Sequence, residues 1–234
     1  VNPLGLDART RAVPISDIDY SSAFPGDING GLEDYTAAKL IEDIKGASCC
    51  IDIHSSNIFL QEVPQVRLNN ETLLHLSKYM NTDLVWIHPS QTVNEGSLAF
   101  TLNQMGIPTM VTESGAAFRI RYEYCRQIID GIFSVMAELG IWKGKVQGKT
   151  KVPFIHEDQI FYLNCESSGL FVSYKRLKDP VKKGEIIGIV QNPLMGATEE
   201  EVVAPTDGIL MTLREHPSVT EGSLVARVIG GNAL

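Results

Sequence analysis

The chain has 234 residues, is 44% hydrophobic and 21% charged, and carries a formal net charge of −8. That is ample material for one large folded domain or two modest ones. The acidic balance argues against nucleic acid, whose binders carry a basic patch, and no run of about 18 apolar residues is present to cross a membrane as a helix.

The first twenty residues lack the charged-then-apolar order of a signal peptide. Four cysteines are too few for a disulfide framework, so reduced, buried cysteines in a cytoplasmic protein are expected. Val1 is followed by Asn2-Pro3, a turn signal, and further residues upstream are expected. From Gly31 to Lys45 the apolar residues Tyr35, Ala38, Ile41 and Ile44 recur at helical spacing. Ile51 and Ile53, preceded by Cys49 and Cys50, predict a buried strand ending at His54. Residues 57–68 read as a short strand and loop, and Asn70 as the cap of a helix reaching Met80. Asp83–Ile87 reads as a strand, Ser97–Met105 as a short helix, and Ile107–Thr112 as a buried strand delivering Glu113. A long helix is expected over Tyr122–Leu139, its stripe formed by Tyr122, Cys125, Ile129, Phe133 and Met136 and its end marked by Gly140.

Strands alternating with helices over residues 1–143 predict an α/β fold, a mostly parallel sheet flanked by helices. The pattern changes after Gly140. Residues 141–153 read as a linker, and short β-rich runs separated by Gly and Pro follow to the end. A small all-β barrel or sandwich is expected over 144–234.

Alternation along a strand puts Asp52 and His54 on one face at its carboxyl end, the end where ligands and metals bind in parallel α/β sheets. A neutral imidazole there is a good zinc ligand, and Asp52 is placed to fix its tautomer; a core histidine bonded to its neighbour is the alternative. Glu113 also ends a strand. A carboxylate beside a metal-bound water takes its proton and passes it to a leaving amine, whereas an exposed loop glutamate does nothing of the kind. Arg11, in a turn-rich segment, has the guanidinium needed to stabilise an oxyanion, although a loop arginine is usually only solvated. The histidines His75, His88, His156 and His216 are read as surface or structural, and Tyr162 or Tyr174 as a source of a phenol.

Asn2-Pro3, Thr10-Arg11, Pro14, Asp19, Phe24-Pro25-Gly26, Asp52-Ile53-His54-Ser55, Gly106-Ile107-Pro108 and Thr112-Glu113-Ser114-Gly115 occur in that order. The ordered set resembles the succinylglutamate desuccinylase/aspartoacylase family, relatives of the zinc carboxypeptidases, over essentially the whole chain. The resemblance implies a zinc carboxypeptidase-like fold and hydrolysis of the amide of an N-acyl amino acid or related small compound. It implies one Zn2+ per chain held by a His-x-x-Glu pair and a later histidine. His54 matches that histidine, Glu113 the catalytic glutamate, and Arg11 the arginine that polarises the scissile carbonyl.

Two departures stand out. No His-x-x-Glu pair occurs in the chain, so the other zinc ligands are expected upstream of Val1. The family's Asn-Arg pair, which grips a substrate carboxylate, is replaced by Ser21-Ser22, with Arg119 or Arg121 as candidates to take over. These departures motivate the alternative of a catalytically inactive small-molecule-binding protein on the same scaffold. Residues 144–234 resemble the lipoyl/biotinyl fold, but the hairpin at Gln191–Gly196 has no lysine, so a carrier role is not expected. The expected partner is a small N-acyl substrate, with neither nucleic acid nor membrane, and homo-oligomerisation is left open.

Overall fold

A computed structural model describes residues 2–88, 95–147 and 152–231. In chain order the elements are α1 (Pro3–Ala8), α2 (Leu32–Ile44), β1 (Cys50–Ser55), β2 (Leu60–Leu68), α3 (Leu74–Ser77), β3 (Leu84–Ile87), α4 (Leu98–Gln104), β4 (Thr109–Gly115) and α5 (Tyr122–Glu138). They continue as β5 (Phe154–His156), β6 (Ile160–Asn164), β7 (Gly169–Ser173), β8 (Pro180–Val181), β9 (Ile186–Gln191), β10 (Thr198–Val203), β11 (Gly208–Arg214), β12 (Ser218–Val219) and β13 (Leu224–Gly230). They divide into two units, one of Val1–Asp52, Asn69–Leu73 and Pro89–Val111, the other of Ile53–Leu68, Leu74–His88 and Thr112–Leu234.

The first unit is built on α2 and α4. Ala37 and Ile41 of α2 pack with Leu102 of α4, Phe24 and Ile107 in a buried core. Glu33 and Asp34 lie in the first turn of α2, where the helix dipole favours negative charge. Ser97 caps α4 by accepting from the Phe100 N–H. Gly26 has a φ of +76°, and a Cβ there would meet the Asp34 carbonyl oxygen at 2.2 Å, so only glycine lets the chain turn against α2.

The second unit carries the sheets. β1 and β4 begin in the first unit and finish in the second. A nine-stranded sheet runs β1-β4-β2-β11-β13-β6, with β3 beside β2, β5 beside β3 and β8 beside β11. It is mixed: β2–β3 and β3–β5 are parallel, whereas β2–β11, β11–β13 and β13–β6 are antiparallel. β2 changes partner along its length. Residues 60–62 pair with β11, and residues 65–68 pair with β3. Pro64 sits between the two stretches, contributing no N–H, while its carbonyl accepts from Asp83 at 2.7 Å. α5 packs on β2 and α3. A four-stranded antiparallel sheet, β10-β9-β7-β12, supplies Phe171, Ile187, Val190 and Val202 to a buried core that also holds Leu163, Leu210 and Val228. The result is a mixed α/β fold with a large sheet and helices on it.

Several local expectations change. β2 is a nine-residue, mostly buried strand rather than a short strand and loop, because it is covered on both faces and shows no alternation. The helix expected over Asn70–Met80 shrinks to α3, since the Asn70 side chain accepts from the Thr72 N–H in a local turn. β4 extends past Thr112, so Glu113 lies within the strand. α5 buries Ile128, Gly131, Ser134 and Val135, leaving Cys125 exposed, Ile129 51% exposed and Tyr122 69% exposed. Gly131 selects that face: a Cβ there would meet the Met80 carbonyl oxygen at 1.9 Å.

Candidate functional site

β1 alternates, with Asp52 and His54 partly buried and Ile53 and Ser55 exposed, but it is not the buried strand expected: Ile53 is 57% exposed. β4, the next strand in the sheet, carries Glu113, whose side chain is only 12% exposed. Arg67 Nη1 reaches Glu113 Oε2 at 3.2 Å. The other oxygen, Oε1, is buried with no hydrogen-bond partner among the described residues. Burial pushes the Glu113 carboxyl above the usual carboxylate range, Glu62 adds to the rise, and Arg67, His54 and Arg227 oppose it. His54 and Glu113 are therefore within electrostatic reach of one another.

Arg67 belongs to a buried charge network that spans β2, β3 and β13. Glu62, with a side chain 3% exposed, accepts from Arg67, from Gln65 Nε2 and, at 2.9 Å, from Arg227 Nη1. Arg227 also donates to Thr212 Oγ1 at 3.2 Å. Trp86 lies against both cations, its ring centre 5.1 Å from Arg67 and 5.6 Å from Arg227. Its indole N–H donates to Glu157 at 3.0 Å, and Glu157 accepts from the Tyr162 hydroxyl at 2.8 Å. Burial and Glu157 together push the Tyr162 phenol up to about 12. His88 stacks on Trp86 at 3.8 Å. Burial, then Arg67 and Arg227, hold its imidazole down at about 3, so it is neutral at ordinary pH.

This corrects the reading of His88 as surface or satisfied: its Nε2 is buried without a hydrogen-bond partner among the described residues. His75, His156 and His216 are exposed. Tyr162 joins the network through Arg227, 5.1 Å over its ring, whereas Tyr174 is 58% exposed.

An apolar cavity of about 360 Å³ adjoins the strand ends, lined by His54, Ser114, Tyr124, Ile128, Ile129 and Ile132 among others. Arg119 and Arg121 line it as well. Arg119 approaches Glu215 at 4.0 Å.

Arg11 lies in the first unit with a side chain 73% exposed. It donates through Nε to Asp19 at 2.5 Å and through Nη2 to Ser21 Oγ at 3.2 Å. Burial alone would raise the Asp19 carboxyl, but the hydrogen bonds from Arg11 and Ser21 outweigh it and hold it below its ordinary value. Ser21 of the Ser21-Ser22 pair is thereby tied to Arg11 and Asp19.

No group of three His, Cys, Asp or Glu side chains among the described residues stands ready to hold a metal ion. A catalytic zinc normally needs three protein ligands. His54 with Asp52 does not complete such a site.

Sequence reading missed Glu62, Arg67, Trp86 and Arg227. They lie on three strands, with β13 far along the chain from β2 and β3, and only an arginine and a glutamate within the β2 sequence hinted at them.

No protein-family model and no curated protein sequence matches the chain. Solved structures do. The product-bound structure of the ectoine utilization protein EutE (DoeB) from Ruegeria pomeroyi superimposes with a TM-score of 0.84 at 22% identity, over 98% of this chain and 73% of that one. A succinylglutamate desuccinylase from a Silicibacter species gives 0.82 at 23% identity, over 95% and 71%. A succinylglutamate desuccinylase/aspartoacylase from Rhodobacter sphaeroides gives 0.80 at 22% identity, over 96% and 71%. No helix of the described residues is long and apolar enough to cross a membrane. The chain thus has the fold of solved structures from the succinylglutamate desuccinylase/aspartoacylase family.

Proposed function

We propose that this protein is a deacylase that hydrolyses the amide of an N-acyl amino acid or related small N-acyl compound. The observation that carries the reading is Glu113: a buried carboxylate on β4, one oxygen tied to Arg67 and the other without a partner among the described residues. That second oxygen is the one available to take a proton from water and return it to the leaving amine. Burial raises its proton affinity, which suits a group that must both accept and donate near neutral pH. The role of Arg11, polarising the scissile carbonyl, is proposed from the family resemblance alone.

The fold shared with desuccinylase and aspartoacylase structures supports the reaction class. One zinc per chain is part of the proposal, with His54 as its ligand from the described residues and Asp52 orienting the imidazole. Four free cysteines suit a cytoplasmic protein. Residues 144–234 are proposed as a small β domain that shapes substrate access.

The test is to incubate the purified protein with a panel of N-acetyl and N-succinyl amino acids and measure released amine, with zinc content determined by elemental analysis. Amine release that disappears in Glu113→Gln, with about one zinc per chain, supports the deacylase. Saturable binding of these compounds without release, and without zinc, would instead support the inactive binding protein.

A further inference from the structure

Glu113 is not held by its own strand. One of its oxygens is fixed by Arg67, and Arg67 is itself fixed on further sides: by Glu62 and by the face of Trp86. Glu62 is clamped in turn by Gln65, Arg67 and Arg227, and Arg227 by Thr212 and the ring of Tyr162. The chain of contacts therefore runs from β13 through β2 to β4 and ends on the candidate base. Stability alone is a poor reason for it, because buried ion pairs of this kind are commonly matched or bettered by apolar residues of similar volume. The contacts do have one geometric effect. Arg67 cannot leave Glu113 without also abandoning a buried Glu62, so the unpartnered oxygen of Glu113 has one aim.

We propose that Glu62 and Arg67, anchored by Arg227, are positioning residues that hold Glu113 Oε2 so that Oε1 faces the scissile amide. The proposal rests on the deacylase reading. Neither residue touches the reacting atoms. Loss of either lets the Glu113 carboxyl rotate, and a misplacement of about 1 Å at a reacting group costs on the order of 10²-fold in rate.

The test uses Arg67→Lys and Glu62→Gln, neither of which alters Glu113, together with the charge-balanced pair Glu62→Gln/Arg227→Gln, which removes one charge of each sign if a single variant folds poorly. Two quantities are read: the Glu113 side-chain position in crystal structures of the variants, and kcat and KM for amine release from the N-acetyl amino acid turned over best by the parent protein. The expected result is a displaced Glu113 carboxyl and a kcat lowered on the order of 10²-fold, with KM changed by no more than about two-fold, since only a transition-state contact is lost. An unmoved Glu113, or a moved Glu113 with unchanged kcat, overturns the proposal. If the parent protein releases no amine from any N-acyl compound, the deacylase reading fails. The Glu113 position in the variants then still decides whether Glu62 and Arg67 hold it.

Discussion

Arg67 and Glu113, on neighbouring strands β2 and β4, meet at 3.2 Å, and the contact occupies only one of the two Glu113 oxygens. The oxygen left over is buried and has no partner among the described residues. A half-satisfied buried carboxylate is costly, and such groups persist where chemistry needs them. Replacing Glu113 by Gln keeps the volume and removes the base. Amine release should fall by about 10²–10⁴-fold in Glu113→Gln, with the thermal unfolding midpoint close to that of the parent, as general acid–base catalysis predicts. Amine release within a few-fold of the parent would remove Glu113 from the reaction.

Glu62 is the counterion of two buried guanidinium groups, so its loss should be felt well beyond one hydrogen bond. Glu62→Leu removes the carboxylate that Arg67 and Arg227 share and leaves Arg227 with no acidic partner among its described contacts. A destabilisation of about 3–5 kcal/mol is expected by urea denaturation. A double-mutant cycle with Arg227→Met should then show strong non-additivity, because the second substitution removes a charge that the first left unpaired. Additive effects would mean that the two side chains do not interact.

His88 gives the protein an acid sensitivity of its own. The unfolded chain binds a proton on His88 near 6.5, whereas the folded chain refuses it until about 3. Its stabilising contribution is fully present above 6.5 and is lost as pH falls towards 3, because protons then favour the unfolded state by up to about 1.4 kcal/mol per pH unit. Over the same range, His88→Phe should lose less stability on acidification than the parent. Denaturation curves at a series of pH values between 7 and 4 measure the difference, and parallel losses in the two proteins would refute the assignment.

Gly131 offers a test of packing alone. In Gly131→Ala the new methyl would lie 1.9 Å from the Met80 carbonyl oxygen, a fixed backbone atom rather than a flexible side-chain tip. The gain in helix propensity, about 1 kcal/mol, should be overwhelmed by the forced separation of α5 from that backbone. A net loss of about 1–3 kcal/mol is expected by chemical denaturation, and a stabilised variant would show that α5 does not sit this close to Met80.

Much of this architecture is legible in the residues themselves. The strand ending at His54, the helix from Tyr122 and the regular β runs after Gly169 follow from periods of 2.0 and 3.6 and from Gly and Pro punctuation. β2 was harder. Its Leu60-Gln-Glu-Val-Pro-Gln-Val-Arg-Leu68 sequence mixes polar residues and a proline into a strand that is almost wholly buried. Gln65 and Arg67 both donate to Glu62 in three dimensions, a convergence that a local pattern does not reveal. The inward face of α5 differs from the expected stripe for a similar reason: Gly131 lies against the backbone of Met80, 51 residues earlier in the chain, a close approach that no local pattern reveals. Within the site, His54 and Glu113 were visible as a histidine and a glutamate closing apolar runs of sequence, whereas Glu62, Arg67 and Arg227 become a unit only once β2 and β13 lie in one sheet.

The change of partner along β2 has a consequence for how this chain comes apart. Residues 60–62 depend on β11 and residues 65–68 on β3, so a single strand is stitched to both early and late parts of the sequence. Peeling the late strands away would bare the backbone edge beside Glu62 and strip it of Arg227 in one event. Loss of the last third of the chain and loss of a correctly built Glu113 site should therefore be inseparable: a protease that nicks and releases the C-terminal strands would leave behind a sticky, open-edged sheet rather than a smaller working protein.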